Sequence, residues 1–229
     1  MAEKTNQRLL KEREMIAKIT SQEVKQYFEC SMLMVVIRYP RISFFCKRGM
    51  AVSAIADTMS RDRIFLLRSN LCCQLESDVT DEENKRERLW KVAPFVKMAR
   101  SGCLALERPN WFCVDEQIIP LSGRCPAKQY VPNKPNPVGL KNLVLAGKDG
   151  VIYDFSIYKS KDTFPDFGLG VSVPVFSTLY FDRWFSSVPL MDELMKKNIF
   201  GTGTLMKNRL PKEAHFMNDK DLMKKARGF

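Results

Sequence analysis

Two aspartates stand where a carboxylate could take part in chemistry. Asp115 interrupts the apolar segment 112–119, where a carboxylate is costly unless it is paired or bound to a metal ion. Asp182 ends a second strand-like segment, 178–181. Carboxylates that sheet pairing brings together can hold two divalent cations, which clamp the attacking and leaving oxygens of a phosphodiester. An aspartate in an apolar segment can equally take an arginine or backbone partner, so the pattern leaves both interpretations open.

Few other residues could support catalysis. The single histidine, His215, leaves no Cys/His set for zinc and no complete Ser-His-Asp or Cys-His arrangement. The seven cysteines are odd in number and none forms a C-x-x-C pair, so we expect reduced thiols in an intracellular protein. Any chemistry must therefore rest on carboxylates, and we expect no small-molecule cofactor.

The positive charge is concentrated in two segments. The net charge is +11, and the excess lies in residues 124–161, with seven Lys/Arg against two Asp, and in 196–229, with nine against three acids. A polyanion such as DNA would meet these segments rather than a uniformly basic surface, although a solvated basic face is the alternative. The candidate phosphate contacts are Arg124, Lys128, Lys134, Lys141, Lys207 and Arg209.

Composition narrows the class of protein further. Hydrophobic residues make up 45% and charged residues 28% of 229 residues, which is typical of a globular chain and excludes fibrous or fully disordered classes. The longest apolar run, Met32–Ile37, is too short to span a bilayer, and the N-terminus lacks the apolar region of a signal peptide. We expect no membrane partner.

Hydrophobic periodicity predicts helices in the first half of the chain. Residues 4–27 predict one polar helix, or else a frayed arm, and residues 48–71 predict two helical pieces, the second capped by Ser60. A further amphipathic segment contains Pro94, which should kink or divide that helix.

The second half of the chain has the pattern of strands. The predicted order is β-β-β-β-α-β, and the predicted helix has Ser187 as its N-cap. We place the domain boundary near residue 105, giving a helical region over 1–105 and a sheet-containing region over 106–229. The fold class is therefore α+β. The predicted elements are strands 111–119, 140–146, 151–158, 178–181 and 199–205 and helix 188–197.

Several segments, in order and spacing, resemble piggyBac-type transposases and the proteins derived from them. The resemblance covers roughly residues 40–229 and is specific because many motifs agree. Upstream, 55–64 and 89–95 resemble the helical dimerisation and DNA-binding region of the family. The segments resembling the catalytic core are Val114–Pro120, Gly123–Pro126, Tyr130–Pro135, Gly139–Lys141, Leu179–Leu190, Gly201–Leu205 and Lys207–Arg209.

This resemblance implies an RNase H-like core in which three aspartates bind two divalent ions, Mg²⁺ or Mn²⁺, to cut and rejoin DNA. Asp115 matches the first aspartate of the family and Asp182 the second, so both are expected as catalytic residues and metal ligands. The implied partners are DNA and a second copy of the chain, as a homodimer. The short basic clusters Met206–Arg209 and Lys224–Arg227 are of a kind that assists nuclear entry, so we expect a nuclear location.

The sequence also departs from the family pattern. The third aspartate is expected in a segment that the sequence lacks, so we expect an incomplete core, and Asp192, Asp219 and Asp221 have no such context. Arg183 stands where Asn is usual, and a cation there would repel a metal ion or pair with the neighbouring carboxylate.

Three hypotheses follow for the function. The preferred one is a transposase-derived DNA-binding protein whose metal site is incomplete. The second is an active nuclease or transposase subunit that takes its third carboxylate from another chain. The third is a non-enzymatic interaction module derived from a decayed transposon.

Structural roles are expected for several other residues. We expect all three tryptophans to anchor the core rather than stack on bases. Glu116 and Gln117, beside Asp115, are expected to point to the opposite face of the strand or to make supporting hydrogen bonds.

Overall fold

The computed structural model describes residues 1–82, 87–132, 134–159 and 173–211. The chain divides into two compact units, Met1–Ala99 and Arg100–Phe229. The first unit is helical and the second is built on a mixed sheet, so the fold class is α+β. None of the helices within the described ranges is long and apolar enough to cross a membrane.

Five α-helices whose bounds lie within the described residues precede the sheet, and the boundary between the units falls within the last of them. Two single-turn 3₁₀ helices, Ile42–Cys46 and Glu76–Asp78, lie between them. The α-helices are α1 (Ala2–Arg13), α2 (Ser21–Ile37), α3 (Ser53–Ala56), α4 (Arg61–Asn70) and α5 (Ala93–Leu104).

The single helix predicted over residues 4–27 is wrong, because two helices occupy this part of the chain. α1 ends at Glu14, which adopts the left-handed conformation with φ of 52°. α2 then begins at Thr20, whose hydroxyl accepts the N–H of Glu23. A side-chain cap of this kind starts a new helix, so a turn interrupts the segment that the sequence predicted as one polar helix.

In the rest of the first unit the predicted Ser60 cap is confirmed, whereas the kink or division predicted at Pro94 is not seen. Ser60 caps α4 by accepting the N–H of Arg63. Pro94 is the second residue of α5, where its missing N–H is tolerated, so the helix begins beside the proline instead of bending at it. The most buried side chains of this unit are Leu9, Phe45, Ile55, Ile64 and Leu67.

The second unit contains one sheet of six strands in the order β2-β3-β1-β5-β6, with β4 paired to β3. β1 pairs antiparallel with β3 and parallel with β5, and β5 pairs parallel with β6. The strands are β1 (Trp111–Pro120), β2 (Gln129–Tyr130), β3 (Val138–Gly147), β4 (Ile152–Ile157), β5 (Thr178–Phe181) and β6 (Phe200–Gly203).

One face of this sheet packs against α6 (Val188–Lys196), which Ser187 caps by accepting the N–H of Leu190. A β-bulge in β4 places two consecutive residues, Tyr153 and Asp154, in buried positions. A further 3₁₀ helix, Lys207–Arg209, follows β6. The buried core residues are Phe112, Val114, Leu145, Tyr153, Val173, Leu179, Phe181, Leu194 and Ile199.

Candidate two-carboxylate site

The parallel pairing of β1 with β5 makes the two aspartates neighbours in the strand register. The last paired residues of β1 and β5 are Val114 and Phe181, and Asp115 and Asp182 are the residues that directly follow them. Val114 and Phe181 are buried in the core, and because side chains alternate along a strand, both aspartates face away from it. Both carboxylates are exposed. The apolar sequence around Asp115 suggested a buried carboxylate. Because Asp115 is exposed, it carries no free-energy cost of burial.

The electrostatics of a nearby thiol agree with this placement. Burial raises the pKa of Cys113, and the negative charges of Asp115 and Asp182 raise it further. Both carboxylates thus interact electrostatically with the same thiol, which agrees with their neighbouring positions in the register.

Each carboxylate is oriented by a backbone N–H of its own segment. Asp115 Oδ1 accepts the N–H of Glu116 at 2.7 Å. Asp182 Oδ1 accepts the N–H of Trp184 at 2.8 Å, which closes a tight turn after β5. Within the described ranges, Arg183 forms no ion pair with either aspartate, so pairing, one of the two effects expected of this residue, is not seen.

The donor type of the pair suits a hard divalent cation, since carboxylate oxygens are the ligands that Mg²⁺ and Mn²⁺ prefer. Asp115 and Asp182 would therefore fit as two ligands. The described part of the chain holds no group of three or more His, Cys, Asp or Glu side chains that could bind a metal ion. Asp192 lies exposed on α6, and Asp219 and Asp221 fall outside the described residues.

Most of the predicted basic residues follow the carboxyl ends of parallel strands. β1, β5 and β6 run parallel, so the segments that follow them leave the sheet in the same direction. Asp182 directly follows β5. Arg124 and Lys128 lie in the connection between β1 and β2, and Lys134 lies in the connection between β2 and β3. Lys207 and Arg209 lie in the 3₁₀ helix after β6.

Four of these cations differ in how far their side chains are exposed. Arg124 and Lys207 are exposed. Lys128 is half-buried and donates to the carbonyl oxygen of Gly123 at 3.0 Å. Lys134 is half-buried in the connection between β2 and β3. These residues therefore place positive charge at the carboxyl end of β1, which extends six residues past Val114, its last residue paired with β5.

Lys141 already has partners inside the protein. Its Nζ lies 2.5 Å from Glu116 Oε1, and the two side chains are only 12% and 14% exposed. The same ammonium lies 4.0 Å from the ring centroid of Trp184, a cation–π contact. Glu116 points to the face opposite Asp115, as expected, whereas Gln117 shares the face of Asp115 and accepts a hydrogen bond from Asn142.

Arg209 is likewise engaged by the protein. Its Nη1 lies 3.2, 2.7 and 2.8 Å from the carbonyl oxygens of Arg183, Trp184 and Ser186. These carbonyls belong to the turn that carries Asp182. Sequence reasoning missed this role, because nothing in the spacing of residues 183–186 and 209 indicates that three carbonyls converge on one guanidinium.

The tryptophans do not all anchor the core, so that expectation is wrong for two of the three. Trp90 is buried, but Trp111 is 52% and Trp184 is 44% exposed. Trp111 stacks on Tyr180 across β1 and β5, with ring centroids 6.2 Å apart. Because Trp111 has the same strand parity as Asp115, it lies on the face away from the core.

Comparison with known proteins identifies the class to which this fold and site belong. A sequence model of the family described as "Transposase IS4" matches residues 1–168. The chain is similar to the human "PiggyBac transposable element-derived protein 3", with 28% identity over 233 residues, which covers 92% of this chain and 38% of that protein. The chain therefore belongs to the IS4-type transposase family and, within it, to the piggyBac type.

Two further matches extend the comparison. The human "Chimeric ERCC6-PGBD3 protein" is also 28% identical over 233 residues, covering 92% of this chain and 21% of that protein. A cryo-EM structure of a piggyBac transposase synaptic complex with hairpin DNA has the same fold, with a TM-score of 0.77 at 20% identity over the whole of this chain. The chain spans 51% of that transposase and less than half of either curated relative.

Proposed function

We propose that this chain is a DNA-binding protein of transposase origin whose Asp115–Asp182 pair is an incomplete two-metal cleavage site. The observation that carries the proposal is the parallel run of β1, β5 and β6, in which basic segments follow β1 and β6, the strands on either side of the one that Asp182 follows. Basic segments that flank this strand suit the approach of a negatively charged phosphodiester backbone to metal-bound carboxylates.

The strand arrangement supports the RNase H-like interpretation of the core. Three antiparallel strands, β4, β3 and β1, are followed in space by the parallel strands β5 and β6. The solved piggyBac transposase is a complex with hairpin DNA, which supports DNA as the partner proposed for this chain.

Asp115 and Asp182 would hold the Mg²⁺ or Mn²⁺ ion. When bound, such an ion supplies activation of the attacking oxygen and stabilisation of the leaving oxygen in phosphodiester cleavage. The residues of the chain supply orientation: the N–H groups of Glu116 and Trp184 fix one oxygen of each carboxylate. With two carboxylates, we expect DNA hydrolysis to be absent or slow.

A fluorescence-anisotropy titration on duplex DNA tests the binding proposal. If four phosphates are contacted, raising the salt concentration about fourfold should weaken binding by roughly a hundredfold. Lys134→Glu should weaken binding at every DNA sequence alike. Lys25→Glu, which makes the same charge change at an exposed position of α2, is the control. Equal affinity for both variants would refute the role of the basic connection between β2 and β3.

The second candidate, an active subunit completed by another chain, is favoured by the exposure of both carboxylates. Adding Mn²⁺ to the same samples and running them on a denaturing gel tests it. Nicking that is lost in Asp115→Ala would establish cleavage, whereas intact DNA supports the incomplete site. Absence of DNA binding at either salt concentration would favour an interaction module.

A homodimer, which the resemblance to piggyBac-type proteins implies, and a nuclear location, which the basic clusters 206–209 and 224–227 suggest, belong to the same proposal. Light scattering after size-exclusion chromatography tests the first. Imaging of the tagged full chain in cells tests the second.

A further inference from the structure

We propose that Arg209, a candidate phosphate contact by sequence, is instead a positioning residue that holds the Asp182 carboxylate in place. The inference deepens the proposed function, because the position of Asp182 matters for metal binding only if Asp182 is a ligand. It rests on the contacts of the turn 182–186.

The turn brings several carbonyl oxygens toward one point. Those of Arg183, Trp184 and Ser186 all lie within 3.2 Å of Arg209 Nη1. Carbonyl dipoles that converge in this way repel one another unless a cation lies between them. The nitrogen has two N–H groups for three acceptors, so at least one of its hydrogen bonds is shared.

The same turn orients Asp182 directly. The Trp184 N–H donates to Asp182 Oδ1, and the Ser186 N–H and Oγ both donate to the Asp182 carbonyl oxygen, at 3.2 and 2.8 Å. Two of the three carbonyls that Arg209 contacts thus belong to residues that hydrogen-bond to Asp182. If the guanidinium is removed, these residues lose the contact that keeps the turn closed.

A second contact ties the turn to the strand that carries the other aspartate. The Trp184 ring lies under the Lys141 ammonium, and Lys141 is paired with Glu116, the residue after Asp115. Arg209 therefore closes a turn whose ring is already linked to β1. A change in the turn should alter the position of one carboxylate relative to the other.

The test compares Arg209→Lys and Arg209→Met with the wild-type chain. Lysine retains the charge, which a phosphate contact requires, but its shorter and more flexible side chain loses the fixed contact with three carbonyls. Lys25→Met is the control for loss of a positive charge on the surface. Thermal unfolding checks that every variant remains folded.

The direct readout is amide hydrogen exchange at Trp184 and Ser186, measured by NMR without metal. If Arg209 closes the turn, both Arg209 variants should exchange at these two amides about tenfold faster than wild type, and Lys25→Met should match wild type. Unchanged exchange in the folded Arg209 variants would overturn the proposal, whether or not the protein binds metal.

The second readout is the affinity for Mn²⁺, measured by the EPR signal of the free ion. Loss of a group that orients a metal ligand lowers metal affinity by about 10- to 100-fold, so both Arg209 variants should lose affinity in this range. If amide exchange is faster in the Arg209 variants but the wild-type chain binds no Mn²⁺, Arg209 positions the turn and the proposed metal site is refuted. The opposite outcome would show that Arg209 contacts a phosphate after all. In that case Arg209→Lys would keep wild-type amide exchange and DNA affinity, whereas Arg209→Met would bind DNA weakly.

Discussion

Lysines and arginines that look alike in the sequence have different roles in the folded chain. Arg124 is exposed, whereas Lys141 is held between Glu116 and the ring of Trp184. Counting charges along a segment gives the field that a polyanion meets at a distance, and this field includes both residues. Contact with a phosphate additionally requires a side chain that is not already committed. Exposure and partners are therefore needed to choose among the basic residues.

The ion pair of Arg100 with Asp154 gives a prediction at the scale of one residue. Asp154 is 1% exposed and receives two hydrogen bonds from Arg100, at 2.7 and 3.1 Å. Arg100→Met removes this two-point ion pair from a buried carboxylate, which we expect to lower the free energy of unfolding by about 3–5 kcal/mol. Urea denaturation measures the change. Arg8→Met, which breaks an exposed i,i+4 pair with Glu12, should cost less than about 1 kcal/mol. Equal losses in the two variants would contradict this ranking.

A second prediction concerns the acid stability of the first unit. The two-point hydrogen bond from Arg63 lowers the pKa of Glu23. A lowered pKa in the folded state means that this stabilisation is complete above about pH 4.3, the unfolded value, and is lost as the pH falls through the folded pKa. Glu23→Gln should lower the free energy of unfolding at pH 7 by on the order of 2 kcal/mol. It should also make the free energy of unfolding fall less steeply as the pH is lowered. Urea titrations at several pH values test this, and parallel curves for the two proteins would contradict it.

At the scale of elements, local sequence signals predict where strands and helices lie better than they predict which face is covered. Strand 178–181 and the Ser187 cap are confirmed. The periodicity of β1 is correct, yet Trp111 points away from the core. Alternation separates the two faces of a strand, but which face another element covers depends on long-range packing. The pairing of Asp115 with Asp182 depends on strand order in the same way, so the sequence identified both residues without placing them together.

Two glycines give a matched prediction for the elements that contain them. At Gly139 in β3, an added Cβ would collide with the carbonyl group of Ile119 in β1, so Gly139→Ala should destabilise the sheet by about 1–3 kcal/mol. At Gly102 in α5, an added Cβ has open space around it, so Gly102→Ala should stabilise by about 0.4–1 kcal/mol. Urea midpoints measure both, and a change of the same sign in both variants would contradict the structure.

At the scale of the whole molecule, the two compact units have separate cores. The buried cluster of the first unit includes Leu9, Ile55 and Leu67, and that of the second includes Phe112, Leu145 and Phe181. Both aspartates and all six basic candidates belong to the second unit. The candidate site therefore depends on the integrity of the sheet more than on that of the helices.

Separate cores predict separate responses to destabilisation. Gly139→Ala should increase amide exchange in β1 and β3 while leaving α2 and α4 at their wild-type protection. Glu23→Gln should have the reverse effect. Exchange measured segment by segment by mass spectrometry distinguishes the two. Faster exchange throughout the chain in either variant would show that the molecule unfolds as one unit.

The parallel pairing of β1 with β5 also determines when the carboxylate pair can form. Trp111 is the partner of Thr178, so a loop of more than sixty residues must close before the first contact between these strands is made. Closing such a loop costs chain entropy before any contact compensates for it, and pairings of this kind form late and slowly in folding. The hairpin of β3 and β4 closes over only a few residues and has no such delay. A nascent or partly folded chain would thus contain the hairpin before the two aspartates meet, and any affinity for a divalent ion would be acquired only at the last stage of folding.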